Sequence, residues 1–331
     1  MKKALLFLAA LAVLAGSAGI YVMRQLARPF QGFTESVLIE FPRGTTTSRM
    51  ASMLAERGVI EDSWLFLAAR VFRRGARLQA GEYKFDKPAS PLDVYGRIAR
   101  CDIYYMELLI PEGFNMFDVA DAVAKLGTMS AADFLVAARD PSPIRDLDPK
   151  AETLEGYLFP NKYRVYRKTT AREICRMMTN EFRAQWQTLG APAKAVHDAV
   201  TLASLVEREA RLPEERPRVA SVFHNRLRIG MRLQCDPTTV YAALLDGRYR
   251  GVIHQSDLDS TNPYNTYQHA GLPPGPIANP GLSSVKAALE PEATEFLFFV
   301  AKADGSGGHN FSESLQKHVA AVAAYHRASG H

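Results

Sequence analysis

Residues 201–210 read TLASLVEREA and give the strongest structural signal in the chain. On a helix that turns by about 100° per residue, Leu205 and Val206 share one face with Glu209. A second apolar face carries Glu207. Glutamate is rarely buried in full unless it has a partner or a task. The pattern therefore predicts a buried helix that places two carboxyl groups on apolar faces.

Two interpretations of these glutamates follow from their surroundings. A carboxyl among aliphatic side chains has its charged form disfavoured, so its pKa rises and it becomes a candidate general acid near neutral pH. In the alternative, the buried glutamate forms a structural ion pair with an arginine close in sequence, namely Arg208, Arg211, Arg216 or Arg218. The segment by itself is compatible with both.

The composition is that of a globular protein that buries apolar cores. The chain has 331 residues, enough for roughly two domains, of which 47% are hydrophobic and 23% are charged. Its net charge of +5 is compatible with binding to anionic lipid, an anionic polymer or nucleic acid, and it selects none of them.

The sequence contains no local signature of a cofactor or metal site. Cys101, Cys175 and Cys235 are far apart and form no C-x-x-C pair. There is no H-E-x-x-H, no P-loop and no G-x-G-x-x-G. We therefore expect a protein that works without a metal or a cofactor.

The N-terminus is long and apolar enough to be a membrane anchor. Residues 4–23 contain no charged side chain, and about 20 such residues cross a bilayer. Lys2 and Lys3 precede the run, which favours a cytoplasmic N-terminus. A cleaved signal peptide with a small-residue site at 15–18 is the alternative. Both interpretations place the rest of the chain outside the cytoplasm.

The first third of the chain alternates short strands and helices. We predict a strand at 36–42, a helix capped by one of Thr45–Thr47, a helix at 63–72, a strand and turn at 81–90 and a helix that starts at Ser90. This order is typical of a small α+β module.

The start of this module has a counterpart further along the chain. FPRGTTTSRMASML at 41–54 parallels IPEGFNMFDVADAV at 110–123, where a strand at 104–113 precedes a helix. The parallel is either a partial internal repeat or two independent strand–helix starts.

The rest of the chain is mainly helical. A helix and a boundary loop are expected at 130–150, then an aromatic, mostly extended stretch at 153–166. Helices follow at 170–189, 192–211 and 214–228, loops at 231–281, and finally a strand hairpin and a helix at about 315–329.

Six runs in the second half resemble the YceG-like family of endolytic murein transglycosylases. They are EGYLFP (155–160), LASLVEREA (202–210), VASVFHNRLRIGMRLQCDPT (219–238), PYNTYQHAGLPPGPIANPG (263–281), SSVKAALEP (283–291) and LFFVAKADGSGGHNFSES (297–314). The resemblance extends over nearly the whole chain and is weakest at 101–150.

The resemblance implies a lyase that cuts peptidoglycan within glycan strands, between MurNAc and GlcNAc, and leaves 1,6-anhydroMurNAc ends. It also implies that Glu209, the second glutamate of E-x-E, is the single general acid and base, so no paired carboxylate is needed. Glu207 lies about 200° further round the helix and cannot share a cleft with Glu209. A hydrogen bond or ion pair behind the site is its expected role.

The resemblance also points to substrate-binding or supporting residues in the matching segments. Amides and hydroxyls suit the N-acetyl and hydroxyl groups of sugars, and a tyrosine ring can stack on a sugar face. The expected set is Glu207, Gln234, Asn225, Asn265, Thr266, Tyr267, His309 and Glu155. Structural roles are the alternative for four of these, namely a turn at Asn265, a local hydrogen bond at Asn225, and framework contacts at His309 and Glu155.

The predicted fold class is α+β, with a single N-terminal transmembrane helix, a LysM-like module and a mixed helical and β catalytic domain. The expected limits are 1–28 for the anchor, 36–100 for the module, 101–150 for a connecting segment and 151–331 for the catalytic domain. The resemblance implies a single-pass protein of the cell membrane, the inner membrane of a Gram-negative cell, that binds peptidoglycan glycan strands. Partners among peptidoglycan synthases and a role in ending nascent glycan elongation are further implications.

Three other functions are alternatives to the enzyme. A membrane-tethered scaffold that binds peptidoglycan without cutting it would need neither Glu209 nor Gln234. A metal-dependent amidase or peptidase would need clustered His and acidic ligands, which the sequence does not show. A nucleic-acid binder conflicts with export and with the lack of a basic recognition helix.

Overall fold

A computed structural model describes residues 2–73 and 75–329. The chain divides into two compact units, one that ends at Tyr105 and one that starts at Met106. The second unit includes most of the segment expected to be a connector, and the four domain limits stay a prediction.

The first unit carries one long helix and a small α+β module. Its elements are α1 (Lys2–Ala27), β1 (Val37–Phe41), α2 (Thr47–Glu56), α3 (Ser63–Phe72), β2 (Gly81–Phe85) and α4 (Pro91–Ala99). Strands β1 and β2 pair antiparallel, with Ile39 opposite Tyr83. Their inward side chains join those of α2, α3 and α4 in a core that is closed by Leu26 near the end of α1.

Local signals in the sequence set these boundaries. The Thr46 side chain accepts a hydrogen bond from the Arg49 amide and caps α2. Ser90 and Asp93 form a capping box at the start of α4, with Pro91 in the first helical position. The elements predicted for this unit are confirmed.

Helix α1 is long and apolar enough to cross a membrane, which is a property of its length and composition. Leu26 is its buried residue, and the large side chains from Leu5 to Tyr21 are exposed.

The second unit is helix-rich and contains two short antiparallel sheets. Its elements are β3 (Met106–Leu109), α5 (Met116–Ala124), α6 (Ala131–Ala138), β4 (Lys162–Val165), α7 (Ala171–Thr188), α8 (Val196–Glu209), α9 (Arg216–Arg228), α10 (Asp236–Leu245), α11 (Gln255–Leu258), α12 (Leu282–Leu289), β5 (Phe298–Ala301), β6 (His309–Ser312) and α13 (Leu315–Ser329). Strand β3 pairs with β4, and β5 pairs with β6. The α+β class is confirmed.

Three stretches of this unit differ from the prediction. Residues 255–258 form the short helix α11, and residues 236–245 form α10, inside the region expected to be loops. Asp236 and Pro237 start α10, and Tyr241 anchors it in the core. Residues 153–158 form bends and turns, with Gly156 at a φ of 85°, so the extended stretch is limited to β4.

The two strand–helix starts share more than a sequence pattern. Gly44 and Gly113 both have positive φ, 85° and 79°, at the turn after the strand. Thr46 and Asn115, each two residues further on, cap the following helix through their side chains. Both starts therefore have the same backbone arrangement, which is compatible with a partial repeat and with independent origins.

Helix α8 is the centre of the second unit. It packs against α9, α10 and α12, and its residues from Val196 to Val206 are buried on both apolar faces. The polar stripe of α8, formed by His197, Thr201, Ser204 and Arg208, contacts the loop that precedes α12. The His197 Nε2 atom lies 3.0 Å from the Pro274 carbonyl oxygen, and the Ser204 hydroxyl accepts a hydrogen bond from the Ile277 amide at 3.0 Å. The stripe thus fixes α8 to this loop.

Gly156 in the EGYLFP run packs directly against the same loop and helix. A Cβ at this position would lie 2.5 Å from Pro276 Cγ and 2.9 Å from Val200 Cγ1. Such contacts are far inside van der Waals range, so only glycine allows the three segments to meet.

Gly156→Ala is expected to lower the unfolding free energy by about 3 kcal/mol or more, since overpacking adds to the cost of a left-handed alanine. Gly127→Ala is the matched control, because Gly127 also has positive φ but has open space around it. It should lose only the backbone term of about 1–2 kcal/mol. Trp186 fluorescence during guanidinium unfolding, in a Trp64→Phe background, reports the second unit. Equal losses in the two variants would contradict the packing argument.

Candidate active site

Glu209 is the last residue of α8 and lies at the wall of an open, polar pocket of about 400 Å³. The chain leaves the helix at Ala210 in an extended conformation. The pocket is lined by residues from α8, α9, the loop before α10, the loop after α11, β5 and α13: Glu209, Phe223, Arg226, Leu233, Gln234, Cys235, Asp236, Tyr267, Phe298, Phe299, Leu315 and His318.

The groups around Glu209 shift the pKa of its carboxyl in opposite directions. Burial raises the pKa of Glu209 above its ordinary value, and the negative charge of Asp236 raises it further. The Cys235 thiol donates a hydrogen bond to Glu209 Oε1 at 3.1 Å, which lowers the pKa, as do His309 and Arg208 by their charge. The balance is a raised pKa, as a general acid requires.

Gln234 and Cys235 stand on a strained turn held by a buried threonine. Gln234 has a φ of 47°, in the left-handed region that few residues other than glycine adopt. Its amide donates to the Thr266 carbonyl at 3.2 Å, and the Cys235 amide donates to Thr266 Oγ1 at 3.0 Å. The Gln234 side chain is exposed at the pocket, whereas Thr266 is buried behind it. Thr266 therefore supports the loop from behind the pocket.

Tyr267 lines the pocket and is tied to the same loop. Its hydroxyl donates a hydrogen bond to Asp236 Oδ1, and Arg232 Nη1 donates to its backbone carbonyl at 3.1 Å. Burial, followed by the hydrogen bond to Asp236, raises the pKa of Tyr267. The phenol stays protonated and holds the Asp236 carboxylate in place.

Glu207 lies behind the site, with its carboxyl in a set of buried contacts. Its side chain is only 5% exposed and pairs with Arg216 at 2.9 Å. Glu207 Oε2 also accepts hydrogen bonds from the Gly281 amide at 2.9 Å and the Ser284 hydroxyl at 2.7 Å, at the start of α12. The carboxylate thus joins three helices and does not line the pocket.

The side-chain amides of Asn225 and Asn265 donate their hydrogen bonds to backbone carbonyl groups. Asn225 Nδ2 donates to the carbonyls of Thr294 and Phe296, which fixes the chain before β5. Asn265 is fully buried, and its Nδ2 donates to the carbonyls of Asp257 and Leu258 in α11 and of Ser260 just after it. Neither side chain lines the pocket.

His309 lies outside the pocket lining but its charge acts on the Glu209 carboxyl. Its Nδ1 atom lies 2.7 Å from Glu215 Oε2, and its ring packs edge-on against Phe299 at 5.2 Å between ring centroids. The Glu215 carboxylate also accepts a hydrogen bond from the His309 amide. These contacts orient the imidazole at the start of β6.

Glu155 lies in a separate, fully buried position. Its carboxylate oxygens accept hydrogen bonds from the Met116 amide at 2.8 Å and from Asn279 Nδ2 at 3.1 Å. Burial raises the pKa of Glu155 to about 8, so the group is largely protonated at neutral pH. It connects α5 with the loop before α12 rather than facing the pocket.

Several pocket residues were not predicted from the sequence, among them Cys235, Asp236 and Arg226. Cys235 and Asp236 directly follow Gln234, and a search of the neighbours of that residue would have found them. Arg226 lies on α9 and donates to the carbonyls of Leu297 and Leu233 at 2.7 and 2.6 Å, while its guanidinium lies 5.3 Å from the centroid of the Phe298 ring. Its position on the inner face of the helix was the available signal.

Within residues 2–73 and 75–329, no three His, Cys, Asp or Glu side chains come close enough together to hold a metal ion.

Comparisons with known proteins agree with the motifs. The sequence model of the YceG-like family matches residues 39–324. A protein of Bacillus subtilis strain 168 named endolytic murein transglycosylase is 33% identical over 310 residues, which cover 88% of this chain and 85% of that protein. A protein of the same name from Streptococcus pneumoniae is 26% identical, and the match covers 85% of this chain and 57% of the pneumococcal protein.

A solved structure extends the similarity to the fold. The crystal structure of a YceG-like protein from Listeria monocytogenes matches with a TM-score of 0.56 at 31% identity. The match covers 87% of this chain and 99% of the other.

Glu207→Gln is expected to lower the unfolding free energy by about 3 kcal/mol, because it removes the buried partner of Arg216 and leaves that charge with only the half-exposed Glu112. Glu292→Gln is the matched control, since Glu292 pairs at the surface with Arg218, which lies on the same helix as Arg216. The control should change stability by less than about 1 kcal/mol. Guanidinium unfolding followed by Trp186 fluorescence measures both. A Glu207 variant as stable as the control would contradict the framework role.

Proposed function

Since this chain belongs to the YceG-like family, we propose that it is a lytic transglycosylase that cuts peptidoglycan glycan strands internally, between MurNAc and GlcNAc. The resemblance seen in the motifs is confirmed by the family match and by relatives named endolytic murein transglycosylase. The observation that carries the proposal is the Glu209 carboxyl with its raised pKa at the wall of an open polar pocket.

The proposed reaction uses Glu209 twice. The protonated carboxyl donates its proton to the glycosidic oxygen as the bond between that oxygen and the MurNAc anomeric carbon breaks. The C6 hydroxyl of the same MurNAc then bonds to the anomeric carbon and gives its proton to the Glu209 carboxylate. The products are a free GlcNAc hydroxyl and a 1,6-anhydroMurNAc end. No water is consumed, and Glu209 returns to its starting state.

Asp236 is a second carboxylate in the pocket, which the sequence analysis did not foresee. Its Oδ1 atom accepts the Tyr267 hydroxyl hydrogen, and its charge raises the pKa of Glu209. We assign it the role of keeping Glu209 protonated before the reaction. A group engaged in this way is poorly placed to activate a water, so the anhydro product is favoured over hydrolysis.

Gln234 and Tyr267 are the proposed substrate contacts. Of the predicted supporting residues, these two line the pocket together with Glu209. The exposed Gln234 amide suits an N-acetyl or hydroxyl group, and the Tyr267 ring offers a face for a sugar ring. Thr266, Asn265, Asn225, Glu207, His309 and Glu155 are assigned to the framework.

The proposal includes a cellular arrangement. We assign α1 to a single membrane span with a cytoplasmic N-terminus, so that both units face the extracytoplasmic side. Residues 36–100 are proposed to be a LysM-like module and 151–331 the catalytic domain. Substrate strands at the membrane surface would be nascent glycan, which fits a role in ending elongation beside peptidoglycan synthases.

Glu209→Gln in the full chain is expected to lower the cleavage rate of purified peptidoglycan by about 10²–10⁴-fold, because the amide cannot donate or accept the proton. Mass spectrometry should find anhydro-ended internal fragments with the parent chain and with the control below, but not with Glu209→Gln. Glu214→Gln is the matched control, an exposed glutamate five residues further along the chain that does not line the pocket. Reducing-end products would mean hydrolysis, and binding without cleavage by the parent would support the scaffold function.

Asp236→Asn is expected to shift the pH dependence of cleavage. Glu209 must be protonated to act, so activity is present below its pKa and falls as the pH rises through it. Removing the Asp236 charge lowers the pKa of Glu209, so the alkaline limb should move to lower pH. Asp259→Asn, at an exposed carboxylate that does not affect Glu209, should leave the limb in place. A limb that moves to higher pH would contradict the assigned role of Asp236.

A further inference from the structure

Helix α3 has an apolar face with no protein partner in the described part of the chain. Its core side is formed by Leu65, Phe66 and Ala69, which are buried. The opposite side exposes large apolar residues, namely Trp64 at 42%, Leu67 at 37%, Val71 at 59% and Phe72 at 52%. Apart from Arg70, which donates a hydrogen bond to Thr47, the outer side of α3 is apolar, and an exposed apolar patch of this kind marks a contact with a partner or with lipid. The exposed side of α3 therefore lacks the covering that its composition requires.

The position of this face relative to α1 identifies the covering. Phe72, at the end of α3, lines an apolar groove of about 600 Å³ with residues of the long helix, namely Gly16, Gly19, Ile20, Met23, Arg24 and Ala27. Met23 ends the uncharged run, and Gly16 lies roughly 10 Å deeper along the helix axis. The end of α3 thus sits beside the part of α1 that would be within the bilayer. Because Leu26 is embedded in the core of the module, α1 and α3 belong to one packed body.

The charges around the face fit a lipid headgroup layer. Arg24 and Arg28 follow the apolar run of α1, and Arg73 and Arg77 follow α3; all four are exposed. Arginines at this level interact favourably with anionic phosphates, and Trp64 is of the residue type enriched where headgroups meet acyl chains. Exposed arginines after both apolar helices therefore favour lipid over a protein partner as the covering of this face.

We propose that α3 is an interfacial helix, whose Trp64–Phe72 face lies in the surface of the bilayer crossed by α1. The proposal rests on the membrane span assigned to α1 under the proposed function. The consequence is that the first module contacts the membrane through two helices, α1 and α3, rather than through α1 alone. An interfacial helix of this kind buries its apolar face about 5–10 Å into the boundary between headgroups and acyl chains.

The two tryptophans of the chain allow a direct test. Trp64 is exposed, whereas Trp186 is 4% exposed in the core of the second unit. The full chain with Trp186→Phe is reconstituted in vesicles of phosphatidylethanolamine and phosphatidylglycerol that contain phospholipid brominated on the acyl chain. Trp64 fluorescence should be quenched, more strongly by bromine near the ester end than near the methyl end, and should be shielded from aqueous iodide. The Trp64→Phe chain, in which only Trp186 emits, should show little quenching.

Charge placed in the face should weaken the contact. Val71→Asp is expected to reduce the bromolipid quenching of Trp64 by about half or more, because a carboxylate is costly at this depth. Val136→Asp is the matched control, an exposed valine on α6 of the second unit, and should leave the quenching unchanged.

Three results would overturn the proposal. Trp64 quenched by iodide and not by bromolipid, in a chain that stays with the vesicles after an alkaline wash, would mean that α1 is inserted and α3 is free in water. Quenching that disappears as the ratio of protein to lipid is lowered would mean that a second copy covers the face. Loss of the chain from the vesicles in the wash would contradict the membrane span assigned to α1 as well as this proposal. Glycan cleavage, measured separately, would still test the proposed enzymatic activity.

Discussion

The buried contact between Glu207 and Arg216 is the interaction on which the proposed active site depends. One carboxylate joins three helices, because Oε1 pairs with Arg216 of α9 while Oε2 accepts the Gly281 amide and the Ser284 hydroxyl at the start of α12. The amino end of a helix favours a negative charge, so the carboxylate is stabilised from two sides. This contact fixes the C-terminal turn of α8, and Glu209 extends from that turn.

The end of α8 also affects the chemistry of Glu209 itself. The last carbonyl groups of a helix point towards its C-terminus without helical partners and disfavour a negative charge there. Glu207 escapes this effect through Arg216 and the start of α12, whereas Glu209 faces the pocket with a thiol as its hydrogen-bond donor. Two glutamates on one turn of helix thus have opposite environments. The structural ion pair belongs to Glu207, and the raised pKa belongs to Glu209.

The sequence predicted the helices and strands that carry clear local signals. Periodicity and capping residues gave α3 and α4 at their observed positions, and the 3.6-residue period separated the two glutamates. Prediction from the sequence failed where the contacts that set a residue's role are long-range. Asn265 and Asn225 look like sugar-binding amides, but their hydrogen bonds go to backbone carbonyls that only the fold brings near. Asp236 and Arg226 reach the pocket because α8, α9 and the start of α10 converge there, and this convergence depends on long-range packing.

A single carboxyl that gives a proton and then takes one needs an environment that stabilises neither state strongly. Burial and Asp236 favour the protonated form of Glu209, while Cys235, His309 and Arg208 favour the charged form. A fully apolar site would hold the proton too tightly for the carboxylate to form during bond cleavage. A strong ion pair like that of Glu207 would keep the group charged and unable to act as an acid. A thiol is a weak hydrogen-bond donor and therefore offers the carboxylate limited support. This balance of opposing contacts is what allows one residue to perform both steps of the proposed reaction.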